Sequence, residues 1–213
     1  MSKYVVFTDR EHAGERLATV MQHEEPLNPD LVVAAPRGGM PIGRVVADAT
    51  GVPLDIVTGK KLTAPDHSDL SIGAISADGA FWTNDGVIQD IGVSESYLRQ
   101  EKHAAQRKAQ AKKETYREVK AAEPVAGRHV LVVDDGLATG ATMHACVRDI
   151  RENGADRITV GVPVADPRGI EPFTDSVEGV FTVLSPTDFQ AVSRYYDDFH
   201  QLTDEEAMSY LLF

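Results

Sequence analysis

His129-Val130-Leu131-Val132-Val133-Asp134-Asp135-Gly136-Leu137-Ala138-Thr139-Gly140-Ala141-Thr142 is the stretch from which the rest of the chain is read. Four apolar residues in a row, Val130 to Val133, predict a strand buried on both faces. The run stops at two carboxylates, passes through a loop of small residues and enters a helical pattern, Met143 to Arg151. A strand, a small-residue loop and a helix make a phosphate cradle: backbone N–H groups converge, and the helix N-terminus adds partial positive charge. Gly140 and Ala141 let the ligand approach the backbone, and the hydroxyls of Thr139 and Thr142 add donors.

A phosphate cradle needs no carboxylates, and Asp134 and Asp135 would repel a bare phosphate. They make sense if the ligand also offers vicinal hydroxyls, as a ribose does, or carries a magnesium ion. A ribose 5-phosphate unit, its hydroxyls over the acids, meets both demands. A competing reading is a buried strand with an acidic, Walker-B-like end, but the chain has no G-x-x-x-x-G-K-[ST] to partner it.

The stretch resembles the PRPP-binding motif of type I phosphoribosyltransferases. The resemblance implies that Asp134 and Asp135 bind the ribose hydroxyls, and that Ala138, Thr139, Gly140, Ala141 and Thr142 bind the 5-phosphate. It also implies Mg2+ brought by PRPP and lying near Asp134 and Asp135. A second loop, Pro36-Arg37-Gly38-Gly39-Met40-Pro41-Ile42-Gly43, follows the apolar run Leu31–Ala35. It resembles the pyrophosphate loop of the same enzymes, which implies diphosphate binding by Arg37 and by the backbone of Gly38 and Gly39; a guanidinium suits that contact. A tight strand–helix turn is the plainer reading of this loop, and its spacing is not that of a dinucleotide fold. Lys60 and Lys61 follow the predicted strand Leu54–Val57, and they read either as part of the pyrophosphate site or as an ordinary solvated pair.

Elsewhere the patterns are structural. Thr8 to Glu11 has the form of a capping box for a helix running to about His23, ended by Pro26 and Pro29. Residues 62–69 are polar and contain Pro65, so a mobile loop is expected; type I enzymes close such a loop over the reacting centre. Asp78-Gly79 marks a hairpin between Ser71–Ser76 and Ala80–Thr83. Ser94 to Lys120 reads as a long helix with a thin apolar stripe, solvated and packed on one side. Its positive face is the candidate surface for a homodimer. Arg157–Val164 and Gly179–Leu184 are further strands. Asp166-Pro167 reads as a helix cap, and Thr203 to Glu206 as a capping box. The expected fold is α/β, a mainly parallel doubly wound sheet with a flexible hairpin region and a long inserted helix. The expected organisation is one domain over 1–213, with an insertion at 62–120 and an acidic C-terminal segment at 185–213.

Composition narrows the partners. The 213 residues carry a net charge of −12, which argues against nucleic acid as a general partner. No run of 18 apolar residues predicts a membrane span, and the N-terminus is too poor in apolar residues for a signal peptide, so a cytoplasmic location is expected. The one cysteine, Cys146, suits a reducing compartment and reads as a small core residue. An acidic, lysine-poor surface is a halophile's adaptation, expected to gain stability from added KCl. The seven histidines show no metal-ligand spacing.

Taken whole, the chain is similar to a predicted phosphoribosyltransferase family of bacteria and archaea. The shared features are Phe7, Asp9 and Arg10, the PRGG loop, Lys61-Leu62, Ile72–Ala74, the DDGLATGATM stretch and the segment Tyr196–Phe199. The resemblance implies transfer of a phosphoribosyl group from PRPP to a nitrogen nucleophile, a nucleobase-like ring, with release of pyrophosphate. Ala138 departs from hypoxanthine-guanine enzymes, which carry an acid there, and looks more like the adenine and uracil enzymes. Two other functions fit the same residues: a PRPP or nucleotide sensor without turnover, and a hydrolase of phosphoribosyl compounds.

Overall fold

The computed structural model describes residues 6–23, 28–173 and 175–212. Along the chain these form α1 (Arg10–His23), β1 (Leu31–Ala34), α2 (Gly39–Thr50), β2 (Leu54–Ile56), β3 (Gly59–Ala64), β4 (His67–Ser76), β5 (Phe81–Thr83), α3 (Asp85–Ile91), α4 (Glu95–Arg117), β6 (His129–Val133), α5 (Ala141–Glu152), β7 (Arg157–Val164), α6 (Pro167–Ile170), β8 (Gly179–Leu184) and α7 (Asp204–Ser209). Five strands make a parallel sheet in the order β2-β1-β6-β7-β8.

The continuous apolar runs are explained by burial on both faces. Val32, Ala34, Leu131 and Val133 point into one core, with Leu17 and Met21 of α1 and Ile42 and Val46 of α2. Their neighbours Leu31, Val33, Val130 and Val132 point into the other, with Met143, Cys146, Val147 and Ile150 of α5. Each residue step along a strand changes the face, so a one-residue slip would exchange the two cores. The doubly wound α/β sheet expected from the sequence is the one observed.

A second, antiparallel sheet, β3-β4-β5, stands beside the first. One of its faces packs Leu62, Ala64, Ile72 and Ile75 against Ala105 of α4. The other sets Ala74 and Trp82 against Ala141 and Ala145 of α5. The small sheet therefore lies between the long helix and the helix that follows the central loop.

Several local expectations are corrected. The segment Leu62–Asp69, expected to be a mobile loop, is the end of β3, a two-residue turn at Pro65-Asp66 with Asp66 at φ 60°, and the start of β4. Lys60 and Lys61 accordingly lie inside a strand of their own, β3, rather than at the end of β2. The cap of α1 is Asp9, whose Oδ1 accepts from His12 N at 2.8 Å, not Thr8. His12 reaches back to Thr8 N, and Glu11 instead accepts from the Tyr210 hydroxyl. Pro26 lies outside the described residues. The capping box at Thr203, the Asp166 cap and the hairpin at Gly79 (φ 101°) form as read. Among the described residues no helix is long and apolar enough to cross a membrane.

Candidate active site

The strand order fixes where the site lies. From β1 the chain turns one way, through α2 to β2; from β6 it turns the other, through α5 to β7. Loops leaving the C-terminal ends of β1 and β6 therefore diverge and open a crevice, where open α/β sheets bind ligands. Ala34 pairs with Val133, so the PRGG loop and the acid pair leave the sheet side by side.

They touch. A Cβ on Gly38 would lie 1.9 Å from Asp135 Oδ2, and one on Gly39 would lie 2.9 Å from the Val133 carbonyl oxygen. Any side chain at Gly38 would push the carboxylate away. The Pro36–Arg37 peptide at the start of the PRGG loop is cis. On the other side, Gly140 caps α5 with φ 70°, and a Cβ there would meet the Phe173 ring at 2.9 Å and the Gly169 carbonyl oxygen at 3.0 Å. His144 N donates to the Gly140 carbonyl at 2.9 Å. The amides of residues 138–143 donate to no acceptor among the described residues, as expected for a helix start that leaves its first N–H groups open.

A cavity of about 400 Å³ opens at this edge, lined by Ala35, Pro36, Gly59, Lys60, Lys61, Lys108, Ala109, Lys112, Asp134 and Thr142. It brings together Asp134, Thr142, Lys60 and Lys61, four of the residues singled out from the sequence. Arg37 lies close enough for its charge to act on Lys112. Thr139 is exposed beside the cradle, while Gly140 and Ala141 are buried in its wall. A second cavity, of about 300 Å³, lies under α4 around Asp55, Arg117, Lys113 and Asp149. Its cations are already paired: Arg117 with Asp55 at 3.1 Å and Lys113 with Asp78 at 2.6 Å.

The acid pair is electrostatically loaded. Burial, then the charge of Asp135, holds the Asp134 carboxyl well above the usual carboxylate range; the Asp135 amide, Lys61 and Arg10 only partly oppose this. Burial also raises Asp135, against the pull of Arg10. The two titrate as a unit, with Arg10 favouring charge on Asp135 and the proton staying longer on Asp134. Arg10 Nε donates to Asp135 Oδ2 at 3.0 Å, and Arg10 Nη1 to the His200 carbonyl at 3.0 Å. Its guanidinium lies 4.0 Å from the Phe199 ring centroid. The Tyr196 hydroxyl donates to the Asp135 carbonyl at 2.6 Å. Arg10 and Tyr196 were in the sequence as parts of the F-x-DR and Y-x-D-F patterns, but nothing in either pattern says that they converge on Asp135.

His144, one turn into α5, is held between two rings. Trp82 of β5 stacks on it at 4.7 Å and Phe173 at 3.8 Å, both within 8° of parallel. Burial pushes its pKa down to about 4, so it is neutral at pH 7. Trp82 is thus a packing residue. Tyr195 and Tyr196 are buried in a small core with Phe7, beside the partly buried Phe189.

The fold and this edge agree with what the chain resembles among known proteins. A family model of the phosphoribosyl transferase domain matches residues 9–200. The chain belongs to that family. Across 212 residues it is 34% identical to a provisionally named phosphoribosyl transferase of Mycobacterium tuberculosis, covering 97% of this chain and 46% of that protein. The chain thus spans about half the length of the curated relatives it matches over its whole length. A crystal structure from Thermus thermophilus superposes with a TM-score of 0.80 at 35% identity, covering 97% of each chain. A uracil phosphoribosyltransferase of Streptomyces griseus is 41% identical over 68 residues, 32% of either chain. The type I phosphoribosyltransferase fold expected from the central motif is therefore the fold of this family member.

Proposed function

We propose that this phosphoribosyltransferase-family chain transfers a phosphoribosyl group from PRPP to a nitrogen nucleophile of a nucleobase-like ring, releasing pyrophosphate. The observation that carries the proposal is the contact of the PRGG loop with the acid pair. Gly38 abuts Asp135, so a sugar over the acids has its C1 substituent beside Arg37, Gly38 and Gly39. The cradle at Ala138–Thr142 then receives the 5-phosphate. The uracil-specific relative supports a ring nitrogen as acceptor.

In this mechanism the C1–O bond to the diphosphate breaks and its electron pair leaves with the diphosphate. Positive charge develops on C1 and the ring oxygen, and the acceptor's lone pair forms the new C1–N bond while its N–H proton passes to water. Asp134 and Asp135 accept hydrogen bonds from the ribose hydroxyls and offset the developing cation. Arg37, the amides of Gly38 and Gly39, and Lys60 and Lys61 meet the departing negative charge. The rate then comes from positioning and preorganised charge, which needs no nucleophile on the protein.

The residues also fit magnesium. Among the described residues no group of three or more His, Cys, Asp and Glu side chains could hold a metal alone. Two adjacent carboxylates with raised pKa values suit an ion that takes only one or two protein oxygens and rides on a polyphosphate. Bound near Asp134 and Asp135, Mg2+ would neutralise charge on the diphosphate.

The test is pyrophosphate release from PRPP and magnesium with a panel of bases, in buffered KCl, by wild type and by Asp134→Asn/Asp135→Asn. Base-dependent release that the double variant lacks supports transfer. Release without any base points to the hydrolase, and saturable PRPP binding without release to the sensor. Wild-type turnover by the double variant would remove the site assignment.

A further inference from the structure

The cavity at the strand ends carries more positive charge than the two loop motifs supply. Lys60 and Lys61 reach it from β3, and Lys108 and Lys112 from α4. These are four of the chain's lysines, in a protein of net charge −12. Other lysines are matched: Lys113 with Asp78 at 2.6 Å, Lys120 with Glu123 at 3.8 Å, and Lys102 over the Phe81 ring at 4.2 Å. In the cavity only Lys112 is paired, loosely, with Asp204 at 3.6 Å. Lys60, Lys61 and Lys108 make no ion pair among the described residues. An acidic protein that matches its other described lysines and leaves Lys60, Lys61 and Lys108 without an ion pair concentrates positive potential in one place.

α4 is fixed where it presents them. Ala105 and Ala109, each 3% exposed, let the helix lie close on the small sheet. Thr58 Oγ1 donates to the Ala109 carbonyl at 3.0 Å, and the Tyr97 hydroxyl to the Thr63 carbonyl at 3.0 Å. Tyr116, fully buried, anchors the C-terminal half of the helix in the main core. Lys108 and Lys112 are one turn apart and so share a face. Burial, with the nearby charges of Arg37 and Lys60, holds the Lys112 ammonium below the usual lysine range. An anion placed among these groups would relieve that mutual repulsion.

We infer that Lys108 and Lys112 of the inserted helix form, with Lys60 and Lys61, one wall of the diphosphate site. The inference rests on the phosphoribosyl-transfer reading and extends it: α4 is then a ligand-binding element rather than a solvated cover. Diphosphate fits better than a single phosphate because four lysines from two elements line the one cavity, while the cradle at Thr142 is left for the other end of the ligand.

Calorimetric titration of the intact chain tests this, with inorganic pyrophosphate plus magnesium as one probe and ribose 5-phosphate as the other. Lys108→Gln/Lys112→Gln is expected to weaken pyrophosphate by at least about tenfold per charge removed, and ribose 5-phosphate by less than about twofold. Lys108→Arg/Lys112→Arg should restore most of the loss, and the salt dependence of pyrophosphate binding should flatten in the Gln variant. Lys108→Gln alone, at an exposed and unpaired position, guards against a folding defect from losing the Lys112–Asp204 contact. Unchanged pyrophosphate affinity in both Gln variants, with loss in Lys60→Gln/Lys61→Gln, overturns the inference and leaves the transfer reading standing. No pyrophosphate binding by folded wild type overturns both.

Discussion

Asp134→Asn and Asp135→Asn, the same chemical change at adjacent residues, are expected to move stability by different amounts, Asp135→Asn ending less stable than Asp134→Asn. Among the described residues Asp134 accepts only its neighbour's amide, from Asp135 N at 2.8 Å, a bond that an Asn side-chain oxygen can keep. Its raised pKa means that ionising it opposes folding. For such an acid the folded protein binds more protons than the unfolded chain between the ordinary carboxylate pKa and the raised one, so stability falls as pH rises through that window. Asn removes the penalty. Raising a carboxyl pKa by one pH unit costs about 1.4 kcal/mol once the group is ionised. A gain in stability at pH 7.5 is therefore expected, each kcal/mol of it raising Tm by roughly 2–4 °C for a chain of this size. The gain should shrink towards zero near pH 4, where wild type is protonated as well. Asp135→Asn also removes a carboxylate that burial disfavours, but it strands the guanidinium of Arg10, whose side chain is 9% exposed, without its anion. Removing one partner of a buried pair costs about 3–5 kcal/mol. Thermal unfolding of both variants and wild type, at pH 7.5 and pH 4 in the same salt, reads all of this. Destabilisation by Asp134→Asn, or a gain of equal size at both pH values, would refute the electrostatic account of the pair.

Three further outcomes follow from the same geometry. Arg37→Ala should weaken PRPP about 10–100-fold, the worth of a charge-assisted hydrogen bond, and ribose 5-phosphate much less; equal losses in a titration would argue against a diphosphate contact. Gly38→Ala should displace Asp135 from Arg10 and cost about 1–3 kcal/mol in denaturant unfolding, with loss of PRPP binding; a variant indistinguishable from wild type would contradict the 1.9 Å approach. His144, lowered to about 4 by burial, contributes stability that is complete above about pH 6.5, its unfolded value, and is lost as pH falls towards 4, by about 3 kcal/mol in all. His144→Phe keeps the ring stack and should flatten that part of the pH–stability curve; an unchanged curve would show that another group is responsible.

The parallel sheet was legible because its strands carry their own signal. Val130–Val133 and Arg157–Val164 are buried on both faces and bounded by turn residues, so neither length nor end was ambiguous. The small sheet was harder. Its first strand alternates exposed Lys61 with buried Leu62 and half-buried Thr63 with buried Ala64, too short an alternation to stand out beside Pro65 and the acids that follow. α3 was missed because it buries nothing and so has no apolar period to read. Within the site, the loops were visible as strand–loop–helix units, since their chemistry is local. Arg10 was not, because its partner is 125 residues away; Lys108 and Lys112 were absorbed into a charged helix whose orientation is decided by tertiary packing at Ala105, Ala109 and Tyr116.

The ring stack at His144 gives the protein an optical handle. Trp82 is the chain's one tryptophan, and its indole lies flat on His144, which lies flat on Phe173, the ring that Gly140 of the cradle is pressed against. Emission from this single fluorophore therefore reports on the cradle through two ring contacts, without a label. Under the proposed function, a phosphate that reshapes the loop at Gly140 should change the indole spectrum, so filling of the cradle could be followed in real time, separately from any turnover.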